Sequence, residues 1–319
     1  MTSRVLGGRL GVAALAAFVV ADVVLVGLAL RSTGAGAQPA VGRAATVQPG
    51  ARGGVSAAGA TSGNTSSPGD SETTSAPAGP PQAPLTAGIV AADGETAWRF
   101  TVGTCADGGS TLSITTDGGA TWQPRVVPFD ATMRIRVRDD GTAFAIGSDA
   151  ECTPRFRPAE RGAAQWGAEV PVPQAWYRDP KDPATVGTAA GTRVKPCGAS
   201  AVLDLSVIDD AARVLCADGR VRASDTGAEW TAEGDVKGAL ALAATAKRTL
   251  AVRTVDGCEG LGVVDTRAPD ALVGCAEVDV AGLRPGSVSL AVKDGYAWLL
   301  AGDAVLRSSG DLSEWSTAG

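Results

Sequence analysis

From about Leu85 onward one pattern recurs: a turn rich in Asp or Gly, then a short strand of apolar residues. DGETAWRF, DDGTAFAI, DDAARVLC, AKRTLAVR and KDGYAWLL each place a turn before such a strand, centred on Trp98, Phe144, Val214, Leu250 and Trp298. In an extended strand successive side chains point to opposite faces. MRIRVRDDG, AVLDLSVIDD and SVSLAVKDG alternate in this way before ending in turns. Short alternating strands with turn signals at intervals of about 8–12 residues describe a sandwich, a barrel or a propeller. No segment of this region favours a helix.

A second pattern sets the period. TTDGGATW ends in Trp122, and SDTGAEW keeps Asp225, Gly227 and Trp230 at the same offsets. SSGDLSEW ends in Trp315, and AERGAAQW keeps a glycine turn and Trp166. Four of the five strand segments precede such a tryptophan turn; the fifth, at Leu250, precedes GVVDTRAPDALVGC, a copy without the tryptophan. Both patterns give five units of roughly 40–45 residues and one insertion of about twenty, a period in the range of propeller blades. The expected fold is therefore all-β: a single propeller of five blades, each of four antiparallel strands. In the tryptophan turn, Asp accepts hydrogen bonds from nearby backbone N–H groups and Gly allows a positive φ. The Trp starts the last strand of the blade and packs between sheets. A Ca²⁺ loop would need six or more oxygen ligands, and each copy offers at most one well-placed carboxylate.

Thr115, Asp117, Gly119, Thr121 and Trp122 resemble the Asp-box, or BNR, motif of sialidase-like and sortilin-like propellers, with Thr at the first position. Residues 223–230 match at Asp225, Gly227 and Trp230. The resemblance covers 85–319 and implies a propeller, with the motif on the face formed by the turns between strands A and B and between C and D. In the sialidases the ligand lies on the opposite face, formed by B–C loops and D–A crossings. That points to the long segment PVPQAWYRDPKDPATVGTAAGTRVKP, Pro171 to Pro196, as a binding loop. Within and beside its aromatic and charged cluster, Trp176, Tyr177, Arg178, Asp179 and Arg193 are the candidate ligand-binding residues. A sialidase-like hydrolase is the alternative. Phe156-Arg157-Pro158 is similar to a segment of that family, but follows a tryptophan turn where the family's segment precedes one. Tyr177 and Tyr296 are the two tyrosines available as nucleophiles. Asp139-Asp140 and Asp209-Asp210 read as turn formers.

Histidine is absent. That removes Ser-His-Asp and Cys-His catalysis and His-ligated metals. With 28 basic and 34 acidic residues and no dense basic patch, phosphate-backbone binding is disfavoured. No cofactor and no metal are expected. Six cysteines allow fifteen pairings. The sequence leaves the scheme open: antiparallel strands would bring Cys197 to Cys216, Cys105 with Cys152 would join loops of adjacent blades, and Cys258 with Cys275 would brace the unit that lacks the tryptophan. An even count suits an oxidising compartment.

The N-terminal part is different. Residues 1–9 carry Arg4 and Arg9, and Gly11 to Leu30 is apolar apart from Asp22. Such a run spans a hydrocarbon core of about 30 Å. Two readings stand: a transmembrane signal anchor over 10–31 with the rest exported, or a signal peptide cut near Ala37. Residues 32–84, rich in Ala, Gly, Ser, Thr and Pro and free of aromatics, read as a disordered linker. The expected function is non-catalytic: binding of an extracytoplasmic protein or glycan by the B–C/D–A face of an 85–319 propeller. A third reading is an assembly factor for an envelope membrane complex.

Overall fold

The computed structural model describes residues 85–163, 165–309 and 311–318. The membrane span, the linker and Asp22 lie outside the described residues. Within them no helix is long and apolar enough to cross a membrane.

The strands form six sheets, not five. Blade I is β1 (Ala87–Ala91), β2 (Ala97–Thr101), β3 (Thr111–Thr115) and β4 (Gln123–Pro124). Blade II is β5 (Ala131–Val137), β6 (Ala143–Ser148), β7 (Arg155–Ala159) and β8 (Val170–Pro171). Blade III is β9 (Tyr177–Arg178), β10 (Val186–Gly187) and β11 (Arg193–Val194). Blade IV is β12 (Val202–Ile208), β13 (Ala211–Cys216), β14 (Arg220–Ser224) and β15 (Thr231–Asp235). Blade V is β16 (Ala241–Ala244), β17 (Thr249–Arg253), β18 (Gly260–Asp265) and β19 (Ala268–Glu277). Blade VI is β20 (Val288–Lys293), β21 (Tyr296–Ala301), β22 (Ala304–Ser309) and β23 (Trp315–Thr317). Strands pair antiparallel in chain order within every sheet. The innermost strands touch in a closed circuit, β1 to β5, β9, β12, β16, β20 and back to β1. The molecule is a six-bladed β-propeller.

The extra blade corrects the expectation of five. The segment read as an inserted loop, Pro171–Pro196, contains blade III. Its three strands are two residues each, too short for alternation to show. The blade also lacks a regular inner strand. Trp176 Nε1 donates to the Asp210 carbonyl at the far end of β12, whereas Arg178 Nη1 donates to the Leu203 carbonyl near its start. So β9 runs opposite to β12 and has the direction of a second strand. Pro173, Gln174 and Ala175 line the axis where an inner strand would stand.

Five of the six junctions between blades hold an apolar cluster. Trp98, Phe100 and Ile114 meet Met133 and Ile135 between blades I and II. Trp176 and Val186 meet Val202 and Val214 between III and IV. Leu215 and Val221 meet Leu242 and Val264 between IV and V. Leu250 and Val263 meet Leu290 and Leu299 between V and VI. Ile89 meets Trp298 and Val305 between VI and I. Polar side chains of inner strands stitch neighbours together: the Asp204 carboxylate accepts from Leu242 N at 2.7 Å, and Ser206 Oγ from Ala244 N at 2.8 Å.

The four tryptophan turns join third to fourth strands and so share one face. In blade I, Asp117 accepts from Thr121 N (2.9 Å), Thr121 Oγ1 (2.6 Å) and Thr115 Oγ1 (2.7 Å). These donors hold its carboxyl down at about 2. Gly119 has φ 97°, and the turn packs on the end of blade VI, where Trp122 meets Trp298 edge-on at 6.3 Å. In blade IV, Gly227 N donates to Ser224 Oγ at 2.8 Å, and Trp230 meets Trp176 edge-on at 5.7 Å. Asp311 performs the Asp117 role more weakly, accepting from Ser313, and Trp315 Nε1 donates to the Leu312 carbonyl. Trp166 Nε1 instead reaches the Val126 carbonyl of blade I at 2.8 Å.

All six cysteines are paired: Cys105–Cys152, Cys197–Cys216 and Cys258–Cys275. The first joins loops of blades I and II. The second ties the segment after β11 to the end of β13. The third braces blade V, whose third-to-fourth-strand turn has no tryptophan.

Candidate functional site: the axial channel

The inner strands enclose a channel of about 770 Å³. Its lining runs along the inner strands, with Val90, Leu205, Val207 and Ala291 among the apolar residues. The lining continues to Asp139, Asp209, Asp210 and Lys293, at the turns that follow β5, β12 and β20. The channel therefore reaches the face of the A–B turns, the same face as the tryptophan turns.

Its charged groups come from few elements. β5 places Arg134 and Arg136 two residues apart, on one side of the strand. Arg134 Nη1 donates to the Trp176 carbonyl at 2.5 Å, and its guanidinium lies 5.5 Å from the Phe144 ring centre. Burial, aided by the positive charge of Arg136, pushes Arg134 down to about 9, which leaves it charged at neutral pH. Arg136 Nη1 donates to the Asp209 carbonyl at 3.1 Å. At the mouth, Lys293 Nζ pairs with Asp139 at 2.7 Å. Deeper in, burial pushes Arg178 down to about 10, opposed by the nearby Asp204 charge. The Asp204 carboxyl is raised by burial, with the Leu242 amide, Arg178 and the Leu205 amide acting against that shift.

The proposed binding cluster does not form a surface loop. Trp176, Arg178 and Asp179 are 2%, 3% and 1% exposed. Trp176 fills the junction with blade IV. Asp179 caps a turn by accepting from the amides of Lys181 and Asp182, and pairs with Arg193. Tyr177 is half-buried, and burial raises its phenol. The structure thus brings Asp179 and Arg193 together but leaves them outside the channel wall, while Trp176 and Arg178 line it. Sequence reasoning passed over Arg134, Arg136 and Asp204, whose polar positions in alternating strands look like any solvent-facing ones.

The residues of the hydrolase reading are dispersed. Phe156 stacks on Phe144 at 5.3 Å, and Arg157 pairs with Glu169 at 3.0 Å in the outer half of blade II. Tyr296 stands at the start of β21, 39% exposed. Asp140 closes its turn by accepting from Thr142 N and Oγ1. Among the described residues no three His, Cys, Asp or Glu side chains are grouped to hold a metal ion.

No protein-family model matches the chain, and no curated protein matches it. Several solved structures share a loose likeness. "YCF48 bound to D1 peptide" is 18% identical over 74% of this chain and 82% of that one, with a TM-score of 0.37. YCF48 from Cyanidioschyzon merolae is 17% identical over 73% and 85%, with a TM-score of 0.35. Hsv2 from Kluyvelomyces marxianus is 7% identical over 72% and 95%, with a TM-score of 0.38. Likeness at this level carries no weight for function, and the blade count rests on the sheets described above.

Proposed function

We propose that this chain is a non-catalytic binding propeller that takes an extended segment of a partner protein into its axial channel from the face of the A–B turns. The observation that carries the reading is the channel itself: a space of about 770 Å³ whose wall mixes apolar side chains with polar ones, arginines among them. Its one deep carboxylate, Asp204, has both oxygens engaged by the amides of Leu205 and Leu242, so it serves the wall rather than a reaction. A peptide suits this wall better than a glycan. Of the aromatic rings in its lining, Trp176, Phe144 and Phe100 are buried, and Phe156 is stacked on Phe144, which leaves little ring face for a sugar. The ligand face is thereby moved from the B–C/D–A side expected earlier, since the loop that motivated that side is a blade.

The reading extends to place. Six paired cysteines suit an oxidising compartment, and the apolar run 10–31 would hold the propeller at a membrane, with residues 32–84 as tether. An assembly role for a membrane complex is one form this binding can take. The geometry of the Thr115–Trp122 turn supports the Asp-box resemblance.

The test is in-cell photocrosslinking with a reactive side chain at exposed Asp139 on the channel mouth, against Asp107 in a B–C loop. Adducts with a defined peptide at Asp139 alone are expected. Adducts at Asp107 alone, or at neither position, overturn the reading.

A further inference from the structure

Arg178 is buried in the channel wall, yet only part of it is used. Its Nη1 donates to the Leu203 carbonyl, and its Nε and Nη2 have no partner. A guanidinium offers five N–H donors and cannot shed its charge, and buried donors as a rule are satisfied. The carboxylate whose charge acts on it, Asp204, is engaged by two backbone amides. Nε and Nη2 together form the side edge of the guanidinium, the edge whose two parallel N–H groups match the two oxygens of a carboxylate.

The surroundings favour the same chemistry. Arg178 is among the channel-lining residues, on the first strand of the blade that lacks a regular inner strand. Arg134 reaches in from the blade II side and touches the Trp176 carbonyl, two residues before Arg178. Arg136 and Lys293 lie toward the mouth. Of the acidic groups facing them, Asp139 is held by Lys293, and Asp209 presents its carbonyl to Arg136. The Asp209 and Asp210 carboxylates stand at the exposed mouth, and deeper in the wall the charge left without a full set of partners is the Arg178 guanidinium.

We propose that Arg178 and Arg134 form an oxyanion subsite in the channel that takes a carboxylate of the entering segment. The subsite rests on the peptide-binding reading above. The carboxylate has two sources, an Asp or Glu side chain or a free chain end, and the same fork serves both.

The experiment follows arginine Nε–Hε resonances in the ¹⁵N-labelled full chain during titration. The probes are N-acetylglutamate amide, with a side-chain carboxylate, N-acetylalanine, with a terminal one, neutral N-acetylglutamine amide, and inorganic phosphate. The expected result is a salt-sensitive shift of the Arg178 resonance with one or both carboxylates and none with the neutral probe. Arg178→Lys keeps the charge but loses the fork, and Arg134→Gln removes the second cation. Each should weaken carboxylate binding roughly tenfold or more. Should the buried Arg178→Lys fail to fold, Arg134→Gln, at a side chain less completely enclosed, carries the test. Equal response to the neutral probe, response to phosphate alone, or unchanged binding in Arg134→Gln overturns the subsite. Partner capture at Asp139 that survives both variants would sink the subsite and leave the binding reading standing. Absence of capture in the unaltered chain would sink the binding reading itself.

Discussion

Trp176 decides whether residues 171–196 are a loop or a blade. As a loop anchor it would be worth little to the remainder of the molecule. As placed, it is 2% exposed, meets Trp230 edge-on and donates to the Asp210 carbonyl at 2.7 Å. Truncating a buried Trp to Ala costs about 3–5 kcal/mol through lost burial and the cavity left behind. The Asp210 carbonyl sits in an exposed turn and regains water, so its loss adds little. For a domain of this size each kcal/mol moves the midpoint by about 2–4 °C, so Trp176→Ala should lower it by roughly 6–20 °C. Trp176→Phe keeps most of the apolar contact but removes the N–H donor, and should cost about 1–2 kcal/mol. The assay is thermal and urea unfolding of the oxidised full chain, followed by near-ultraviolet circular dichroism. A loss below about 1 kcal/mol for Trp176→Ala, with the native spectrum intact, would refute the blade and restore the loop.

Deletion of 171–196 should abolish cooperative folding, because it removes a blade from a closed ring; the measure is the loss of protease-resistant 85–318. Asp117 gives a pH signature. Its folded carboxyl lies near 2 against an ordinary 3.8, so its contribution is complete above about pH 4 and is lost as pH falls toward 2. Asp117→Asn should flatten that part of the midpoint-versus-pH curve. Gly119→Ala should destabilise by about 1–3 kcal/mol, since φ is 97° and a Cβ would sit 2.5 Å from that of Ala318; a midpoint within 1 °C of the parent would contradict this. Replacing Cys197 and Cys216 by Ala should cost about 3 kcal/mol in denaturant unfolding, the chain-entropy value for a loop of this length.

The residues differ in how much of this they disclosed beforehand. Four tryptophan turns and the alternation of β5, β12 and β20 announce a propeller, whereas the choice among fifteen cysteine pairings stayed open until the strands were placed. Blade III was hidden for a physical reason. Strands such as Tyr177–Arg178 and Val186–Gly187 are too short for a period of two, and the prolines around them resemble a loop. One signal was available. Ala175-Trp176 repeats Ala97-Trp98 and Ala297-Trp298, and Trp176 and Trp298 both donate to an A–B turn of the next blade, at Asp210 and Asp93. The channel residues had no such marker. Arg134 and Asp204 alternate with apolar neighbours just as solvent-facing residues do, and only ring closure turns those positions inward.

The junction of blades VI and I carries a consequence for how the molecule is made. No strand is exchanged there; each blade is one continuous stretch of chain. The ring is shut by Thr86 N and Ala87 N on the Gly286 carbonyl, Ile89 N on Ser289 Oγ and Arg307 on the Gly94 carbonyl. These partners stand some 200 residues apart in sequence, so blade I is synthesised long before its neighbour exists. Until the final strands emerge, Ile89, Ala91 and Trp122 have no wall to lie against, and the nascent chain carries an open apolar flank. Loss of the residues around Ala318 would uncover the side of blade I at the Gly119 turn.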